Sequence, residues 1–168
     1  MFASRLTPAL RALPRQASAF RVARRGYAEA ATDGKLQLSL VLPHQSLYSS
    51  SGVIQVNIPA ATGDMGILAN HVPSVEALRP GVIEVIEENG QQGKKWFVSA
   101  GFATVHGNNA LTINAVEAYP LDKFSPESIK SGLADANRVL GSNAPESEKA
   151  EARVEVDVYE GLQAALSK

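Results

Sequence analysis

The sequence predicts a mainly β protein with an α-helical appendage: an N-terminal β-sandwich of about ten strands, then a C-terminal antiparallel hairpin of two helices. Three observations favour this fold class. Between residues 35 and 120, apolar residues alternate with polar ones. Turn residues recur there about every 8–12 positions, which is typical of a sandwich or a barrel. After Pro120 the apolar residues adopt helical spacing instead.

The segment that precedes the alternating region differs from it in charge. Residues 1–27 hold six of the 16 basic residues and no acidic one, which leaves ten basic against 17 acidic residues in the remainder. An Arg-rich, Ser- and Ala-bearing, acid-free start is typical of a mitochondrial transit peptide. We therefore expect a transit peptide over 1–27, a mature start near Ala28 and a linker over 28–34. The alternative interpretation is a basic arm that binds nucleic acid.

The strands are predicted in order by short alternating runs. The apolar residues of the first two runs are Leu36, Leu38, Leu40 and Leu42, then Ile54, Val56 and Ile58. Residues 82–86 form the next strand, with both faces mostly covered, and Asn89-Gly90 after it is a strong hairpin signal. Further strands follow at 96–98, 102–106 and 111–116. The serines at 46 and 49–51 are expected in a loop.

The helical hairpin is predicted from caps and apolar stripes over residues 121–168. Ser125 is placed as the N-cap of the first helix, with Pro126 at its first position. Gly141 ends that helix, and Asn143 is expected to cap the second one. The hairpin is expected to pack on the sandwich through Val156, Tyr159 and Leu162.

No group of residues in the sequence predicts catalysis or metal binding. Cysteine is absent, which excludes disulfides and thiolate metal sites, and the three histidines are far apart in the chain. The glycines at 63 and 66 lack the spacing of a phosphate-binding loop, so we expect them to shape a bend between strands. Glu87 and Glu88 abut a turn and are expected to be solvated. We therefore expect binding or mechanical work, with no catalytic residue, cofactor or metal.

Two stretches resemble a known family. The first is Gly63-Asp64-Met65-Gly66-Ile67-Leu68, followed by His71-Val72-Pro73 and then by Pro80-Gly81; the second is residues 98–105, Val-Ser-Ala-Gly-Phe-Ala-Thr-Val. Both are similar to signature segments of the ATP synthase delta/epsilon family, although Ala100 stands where the family has a first glycine. The resemblance covers about residues 34–168, including the order of sandwich and hairpin.

The resemblance implies a mechanical role in the central stalk of a mitochondrial ATP synthase. Family members link the gamma subunit to the membrane c-ring, on the matrix side of the inner membrane, and a small epsilon subunit packs nearby. The residues of the implied interface with gamma or the ring are Gly63, Asp64, Met65, Gly66, Ile67, Leu68, Asn70 and His71. Met65, Ile67 and Leu68 could equally belong to the sandwich core.

Bacterial relatives add a nucleotide-binding pattern in the first helix. Residues 133–138, Leu-Ala-Asp-Ala-Asn-Arg, only approximate it, with one residue inserted and Val139 in place of the alanine. We expect no nucleotide site here. Two other functions stay open on the residues alone: a free-standing β-sandwich adaptor, and a matrix enzyme whose pocket would need converging titratable groups.

Overall fold

The computed structural model describes residues 34–167 of the 168-residue chain. The expected transit peptide, residues 1–27, lies outside the described residues, as does all but the last residue of the expected linker. Within 34–167, no helix is long and apolar enough to cross a membrane.

Ten strands fill residues 36–120, which confirms the expected sandwich of about ten strands. They are β1 (Leu36–Val41), β2 (Ser46–Val53), β3 (Gln55–Ala60), β4 (Gly63–Leu68), β5 (Ser74–Leu78), β6 (Gly81–Ile86), β7 (Lys94–Val98), β8 (Gly101–Val105), β9 (Ala110–Ala115) and β10 (Ala118–Pro120).

The strands form one curled sheet whose two halves make the layers of the sandwich. One half runs β10-β7-β6-β3-β4 and the other β5-β8-β9-β1-β2. A single pair, Ala60 with Leu78, joins the two halves in the ladder. Two backbone bonds support this corner, from Ala61 N–H to Ala77 O at 2.8 Å and from Arg79 N–H to Pro59 O at 3.0 Å.

The core lies between the two layers and is formed by the alternating residues. The four leucines of the first run, at 36, 38, 40 and 42, are all buried, as are Val56 and Ile58 of the second. Each such side chain contributes about 1.5–3 kcal/mol of transfer free energy when it is fully buried. Among residues 34–167 no polar or charged residue is buried. The side chains of this core are therefore apolar throughout.

The serine-rich segment is a strand, and the prediction of a loop there was wrong. Ser46 and the serines at 49–51 belong to β2, which pairs with β1 along one side only. The pairing register shifts between Leu38 and Leu40, and Ser50 opposite that shift has a φ of 49°. An edge strand keeps polar side chains exposed along most of its length, so it lacks the apolar alternation that reveals a central strand.

The Asn89-Gly90 signal marks a hairpin, as expected, but not a tight two-residue turn. β6 and β7 pair antiparallel from Gly81 with Val98 to Val85 with Lys94. Residues 87–93 form the connection between the two strands, and Gly90 takes a φ of +81° in it. The face of β6 that points away from the core is covered at Val82 by the helices.

The two helices are α1 (Pro126–Leu140) and α2 (Glu146–Leu166). The Ser125 side chain accepts a hydrogen bond from the Ser128 N–H at 3.4 Å, and Gly141 is the C-cap, both as predicted. The cap predicted at Asn143 was wrong, because α2 starts only after Pro145 and has no side-chain cap. Proline disfavours helical geometry at the residue before it, which prevents a start at Ala144.

The helices form an antiparallel pair that docks on β6 and β7. Phe97 of β7 forms a small apolar cluster with Ile129 of α1 and Leu162 of α2. Tyr159 packs against this cluster as expected, but Val158 takes the place predicted for Val156. Val158 and Leu162 are four residues apart, the spacing that puts side chains on one helix face.

Candidate interaction surface

The predicted interface segment is an edge strand, not the bend between strands that was expected. All six residues of β4 pair with β3, from Gly63 with Ala60 to Leu68 with Gln55. No other described strand pairs with β4, so its second edge presents unpaired backbone groups.

Two glycines in β4 fit this edge position for different reasons. Gly63 follows a tight turn and takes a φ of +138°, which residues with a side chain rarely adopt. A Cβ at Gly66 would lie 3.1 Å from Asn57 Oδ1 and 3.2 Å from Gln55 Nε2 on β3. The missing side chain therefore leaves room for the polar side chains of the neighbouring strand.

The side chains of β4 divide between the core and the surface. Ile67 is fully buried and Met65 packs against the main core, so these two side chains hold the strand on the sandwich. Asp64 and Leu68 point to the opposite face, where Leu68 is 48% exposed. Of the apolar residues that could have been either core or interface, Leu68 alone offers a large exposed surface.

A polar row continues this exposed face across the neighbouring strands. Gln55 Nε2 donates to Asn57 Oδ1 at 2.6 Å, and Asn57 Nδ2 donates to Glu84 Oε2 at 2.9 Å. These residues belong to β3 and β6, next to β4 in the same layer. The outer face of this layer is therefore polar beside β4, and it is covered by the hairpin farther along.

Asp64 is paired within the chain, with a partner to which the sequence reasoning gave no role. Arg79 Nη2 donates to Asp64 Oδ1 at 2.5 Å, and the two side chains are 47% and 70% exposed, respectively. Arg79 lies at the corner between β5 and β6, where its own N–H donates to Pro59 O. Fifteen residues separate the pair in sequence, so no local spacing rule could have found it. An exposed pair of this kind stabilises the fold by at most about 1 kcal/mol.

The Asp64–Arg79 pair also borders the cleft between the sandwich and α2. This cleft, of about 400 Å³, is lined on the sandwich side by Asp64, Arg79 and Gly81. Gly161 and Ala165 of α2 line the other side. The acidic end of the edge strand is therefore adjacent to the docked hairpin.

Asn70 and His71 lie beyond the other end of β4. Asn70 has a φ of 64°, and its N–H donates to Asn109 Oδ1 at 2.5 Å. His71 Nδ1 donates to the Val72 carbonyl at 2.8 Å, and Val72 is 70% exposed. Four strand steps of about 3.3 Å each separate Asp64 from Leu68, or about 13 Å, and Asn70 lies in the turn that follows Leu68. The predicted interface residues thus form a row along one edge of the molecule.

A separate group of titratable side chains lies where β2, β6 and β7 meet. Tyr48 Oη donates to Glu87 Oε1 at 3.1 Å, and Lys94 Nζ donates to the same oxygen at 2.9 Å. The Lys94 hydrogen bond lowers the pKa of Glu87, and Glu87 in turn raises the pKa of Lys94. Burial, followed by the Glu87 hydrogen bond, raises the pKa of Tyr48. We had expected Glu87 to be solvated, but it forms an ion pair with Lys94.

Other candidate groups do not converge in the described part of the chain. His106 Nε2 lies 3.1 Å from Thr112 Oγ1, whereas His44 is exposed. Within 34–167, no group of three or more His, Cys, Asp or Glu residues could hold a metal ion. In α1, Arg138 pairs with Asp135 at 2.6 Å on the exposed surface.

Comparisons with known proteins agree with this division into sandwich and hairpin. Residues 35–120 match the family model of the ATP synthase delta/epsilon chain, β-sandwich domain. Residues 124–164 match the C-terminal domain of the fungal epsilon subunit of F1F0-ATP synthase.

Curated relatives resemble the chain over most of its length. The chain is 60% identical over 145 residues to ATP synthase subunit delta, mitochondrial, of Agaricus bisporus, covering 86% of this chain and 87% of that one. It is 51% identical over 146 residues to the protein of the same name from Saccharomyces cerevisiae, covering 86% and 89%.

Two solved structures share the fold. A chain in the Euglena gracilis mitochondrial ATP synthase, OSCP/F1/c-ring, superposes with a TM-score of 0.75 at 28% identity, covering 84% of this chain and 87% of that one. A chain in the central stalk/c-ring of the Tetrahymena thermophila enzyme superposes with a TM-score of 0.52, covering 77% and 96%. At 15% sequence identity, the similarity to the Tetrahymena chain shows a shared fold and nothing more.

The fold is a β-sandwich with a docked helical hairpin and an open edge strand. Together with the match to these relatives, it defines a non-catalytic stalk subunit of a rotary ATP synthase. The chain belongs to the ATP synthase delta/epsilon family. Like its fungal relatives, it is a mitochondrial protein.

Proposed function

We propose that this chain is a rotor subunit that couples the gamma subunit to the membrane c-ring, so that proton-driven rotation powers ATP synthesis in the catalytic head. One observation carries the proposal: both parts of the family, sandwich and hairpin, match in order over residues 35–120 and 124–164. The adaptor and enzyme alternatives have no comparable support.

The edge strand β4 is the surface proposed for contact with the ring or with gamma. The proposed residues run from Gly63 to Leu68 and on through Asn70 and His71, with Asp64 and Leu68 as the main exposed side chains. Ile67 and Met65 contribute to this surface indirectly, by holding β4 on the core. Asp64 offers a carboxylate to basic groups in the polar loops of the ring.

Arg79 modifies what Asp64 can offer to a partner. The pair is exposed, so a basic group of a ring subunit can share the carboxylate or replace Arg79 at low cost. Such a contact is weak on its own, and a stable interface needs about 1,200–2,000 Å² of total buried surface. The exposed apolar side chains Leu68 and Val72 along the same edge would add to that area.

The small epsilon subunit is proposed to pack on the helical hairpin. An apolar groove of about 540 Å³ runs there between α1 and α2, lined by Phe124, Ile129, Val154 and Val158 among others. Val154 is 63% exposed in it. Covering this groove would remove apolar surface from water.

We also propose a location for the protein and boundaries for its domains. Residues 1–27 would direct import and be removed, leaving a mature chain that starts near Ala28. The sandwich domain spans 35–120 and the hairpin domain 121–168. Contact with the ring would keep the protein peripheral to the matrix face of the inner membrane.

Crosslinking tests the proposed surface directly. The chain has no cysteine, so Asp64→Cys introduces a single reactive thiol on β4. We expect crosslinks from position 64 to ring subunits in a purified complex that hydrolyses ATP. The matched control is Glu148→Cys, an exposed acidic position in the first turn of α2.

The outcomes separate identity from orientation. Crosslinks from position 64 to gamma alone would leave the rotor role intact and contradict the ring-facing orientation of β4. A chain that purified free of the synthase would overturn the proposal. Equal crosslinking from positions 64 and 148 would show that the reaction does not report a specific surface.

A further inference from the structure

We infer that Asn89 is a site of spontaneous deamidation, at which the chain acquires an aspartate or isoaspartate residue in the β6–β7 connection. Asn89 is the only asparagine in the sequence that is followed by glycine. This modification is independent of the proposed rotor role.

The reacting nitrogen is accessible. The nucleophile in asparagine deamidation is the backbone nitrogen of the next residue, which here is Gly90. Both residues are exposed, and nothing lies within 4 Å of the position that a Cβ on Gly90 would occupy. The backbone hydrogen bonds of the connection do not use the Gly90 N–H. The space beside Gly90 is therefore open, and among residues 34–167 no backbone hydrogen bond occupies its N–H.

The connection is also free to adopt the geometry that ring closure requires. Residues 87–93 lie outside the β6–β7 ladder. One backbone bond crosses the turn, from Gln91 N–H to Glu88 O at 3.3 Å, and one side-chain bond joins the same two residues at 2.7 Å. Solvent-exposed segments with few such bonds open at low free-energy cost. Gly90 adds backbone freedom that a residue with a side chain would lack.

The reaction needs only water as a co-reactant. Gly90 N loses its proton and attacks Asn89 Cγ, forming an N–Cγ bond. The Cγ–Nδ2 bond then breaks, and the side-chain amide leaves as ammonia with the proton. Water opens the resulting succinimide at either carbonyl, giving aspartate or isoaspartate.

The product changes the charge of this turn and, in the isoaspartate form, the number of main-chain atoms in it. A new carboxylate at position 89 follows directly after Glu88 and Glu87, so like charges crowd the turn. Glu87 already holds Lys94 and Tyr48 through the same oxygen. Isoaspartate also adds one atom to the main chain, which alters the connection between β6 and β7.

The test is incubation of the folded full-length chain at mildly alkaline pH, followed by peptide mass spectrometry with separation of aspartate from isoaspartate. Asn143 is the internal control, because it is also exposed in a turn. Its following residue, Ala144, carries a Cβ and donates its N–H to Ser142 Oγ at 3.1 Å. We expect position 89 to convert at least about tenfold faster than position 143, a barrier difference of about 1.4 kcal/mol.

The products and a variant complete the test. A succinimide route yields isoaspartate together with aspartate at position 89, and Asn89→Gln should abolish the fast phase. Conversion at position 89 no faster than at position 143 would overturn the inference. Aspartate without isoaspartate would also overturn it, because that product indicates direct hydrolysis.

Discussion

At Gly101 a side chain would clash with the backbone of the neighbouring strand. Gly101 starts β8 and pairs with Ala115 on one side and Leu78 on the other. A Cβ at this position would lie 2.3 Å from the Asn114 carbonyl oxygen and 2.9 Å from Ala115 Cα. Both are backbone atoms of a central strand, so neither can move aside without disturbing the ladder.

Gly101→Ala is therefore expected to destabilise the protein by more than about 2 kcal/mol, because overpacking against fixed atoms forces backbone shifts. Urea unfolding of the two proteins measures the difference. Gly107→Ala is the control, since its Cβ would meet only Pro73 at an ordinary 3.6 Å. That variant should stay within about 0.5 kcal/mol of the parent. A similar effect at both positions would contradict the steric argument.

Tyr48 makes the free energy of unfolding depend on pH in the alkaline range. Burial raises its pKa above the ordinary value of 10.0, so folding favours the protonated phenol. The resulting stability is fully present below the unfolded-state pKa and is lost as the pH rises through the folded-state pKa. The free energy of unfolding should therefore fall above about pH 10.

Tyr48→Phe should remove part of this alkaline loss while costing about 0.5–1.5 kcal/mol at neutral pH, the typical worth of one hydrogen bond. Denaturant titrations at neutral pH and at several alkaline values give both quantities. Tyr119, whose pKa is raised by a hydrogen bond with Glu117, is retained in both proteins and contributes equally to each. An unchanged alkaline slope would rule out Tyr48 as its source.

Among the elements, α2 depends on close approach to the sandwich. Gly161 faces the Pro80 carbonyl and the Phe97 ring, and a Cβ there would lie 3.2 Å and 3.5 Å from them. A larger side chain has no space at this contact. Gly161→Leu is expected to separate α2 from β6 and β7 while leaving the sandwich folded.

Hydrogen exchange measures that separation. Amides of α2 should exchange faster in Gly161→Leu, whereas those of β1 and β9 keep the protection of the parent. Gln163→Leu is the matched control, because residue 163 is exposed on the same helix. Loss of protection throughout the sandwich would mean that the two parts do not unfold separately.

The elements also differ in how well the sequence predicted them. Most central strands and α1 were predicted, because burial imposes a regular period on strands such as β1 and because a cap marks the start of α1. Four strands were missed: β2, β4, β5 and β10. Solvent on one side relaxes the period of the edge strands β2 and β4, β5 keeps Val75 68% exposed, and β10 has only three residues. The Asp64–Arg79 pair could not be predicted, since it depends on how the corner at Ala60 and Leu78 brings distant residues together.

At the scale of the whole molecule, the structure has two apolar clusters of unequal size. The main cluster lies entirely within the sandwich and includes no residue of the hairpin. The smaller cluster joins Phe97 to the helices. The sandwich therefore has a hydrophobic core of its own, whereas the apolar cluster of the hairpin includes Phe97 of the sandwich.

A chain that ends at Pro120 is accordingly expected to keep its strand structure and lose about 1.5–3 kcal/mol, the cost of exposing a side chain such as Phe97. Circular dichroism and urea unfolding test this, and the m-value should fall because less surface is exposed on unfolding. An unfolded or aggregated fragment would show instead that the hairpin is needed for the sandwich to fold.

The attachment of β4 along one side only makes its mechanical resistance depend on the direction of load. A force along the strand stresses all six β3–β4 residue pairs in shear, so they must yield together. A force perpendicular to the strand loads the residue pair at one end of the ladder first, so the pairs separate one after another. If β4 carries load between rotating parts, the strand is strongest when that load runs parallel to its length, from Gly63 toward Leu68 or back.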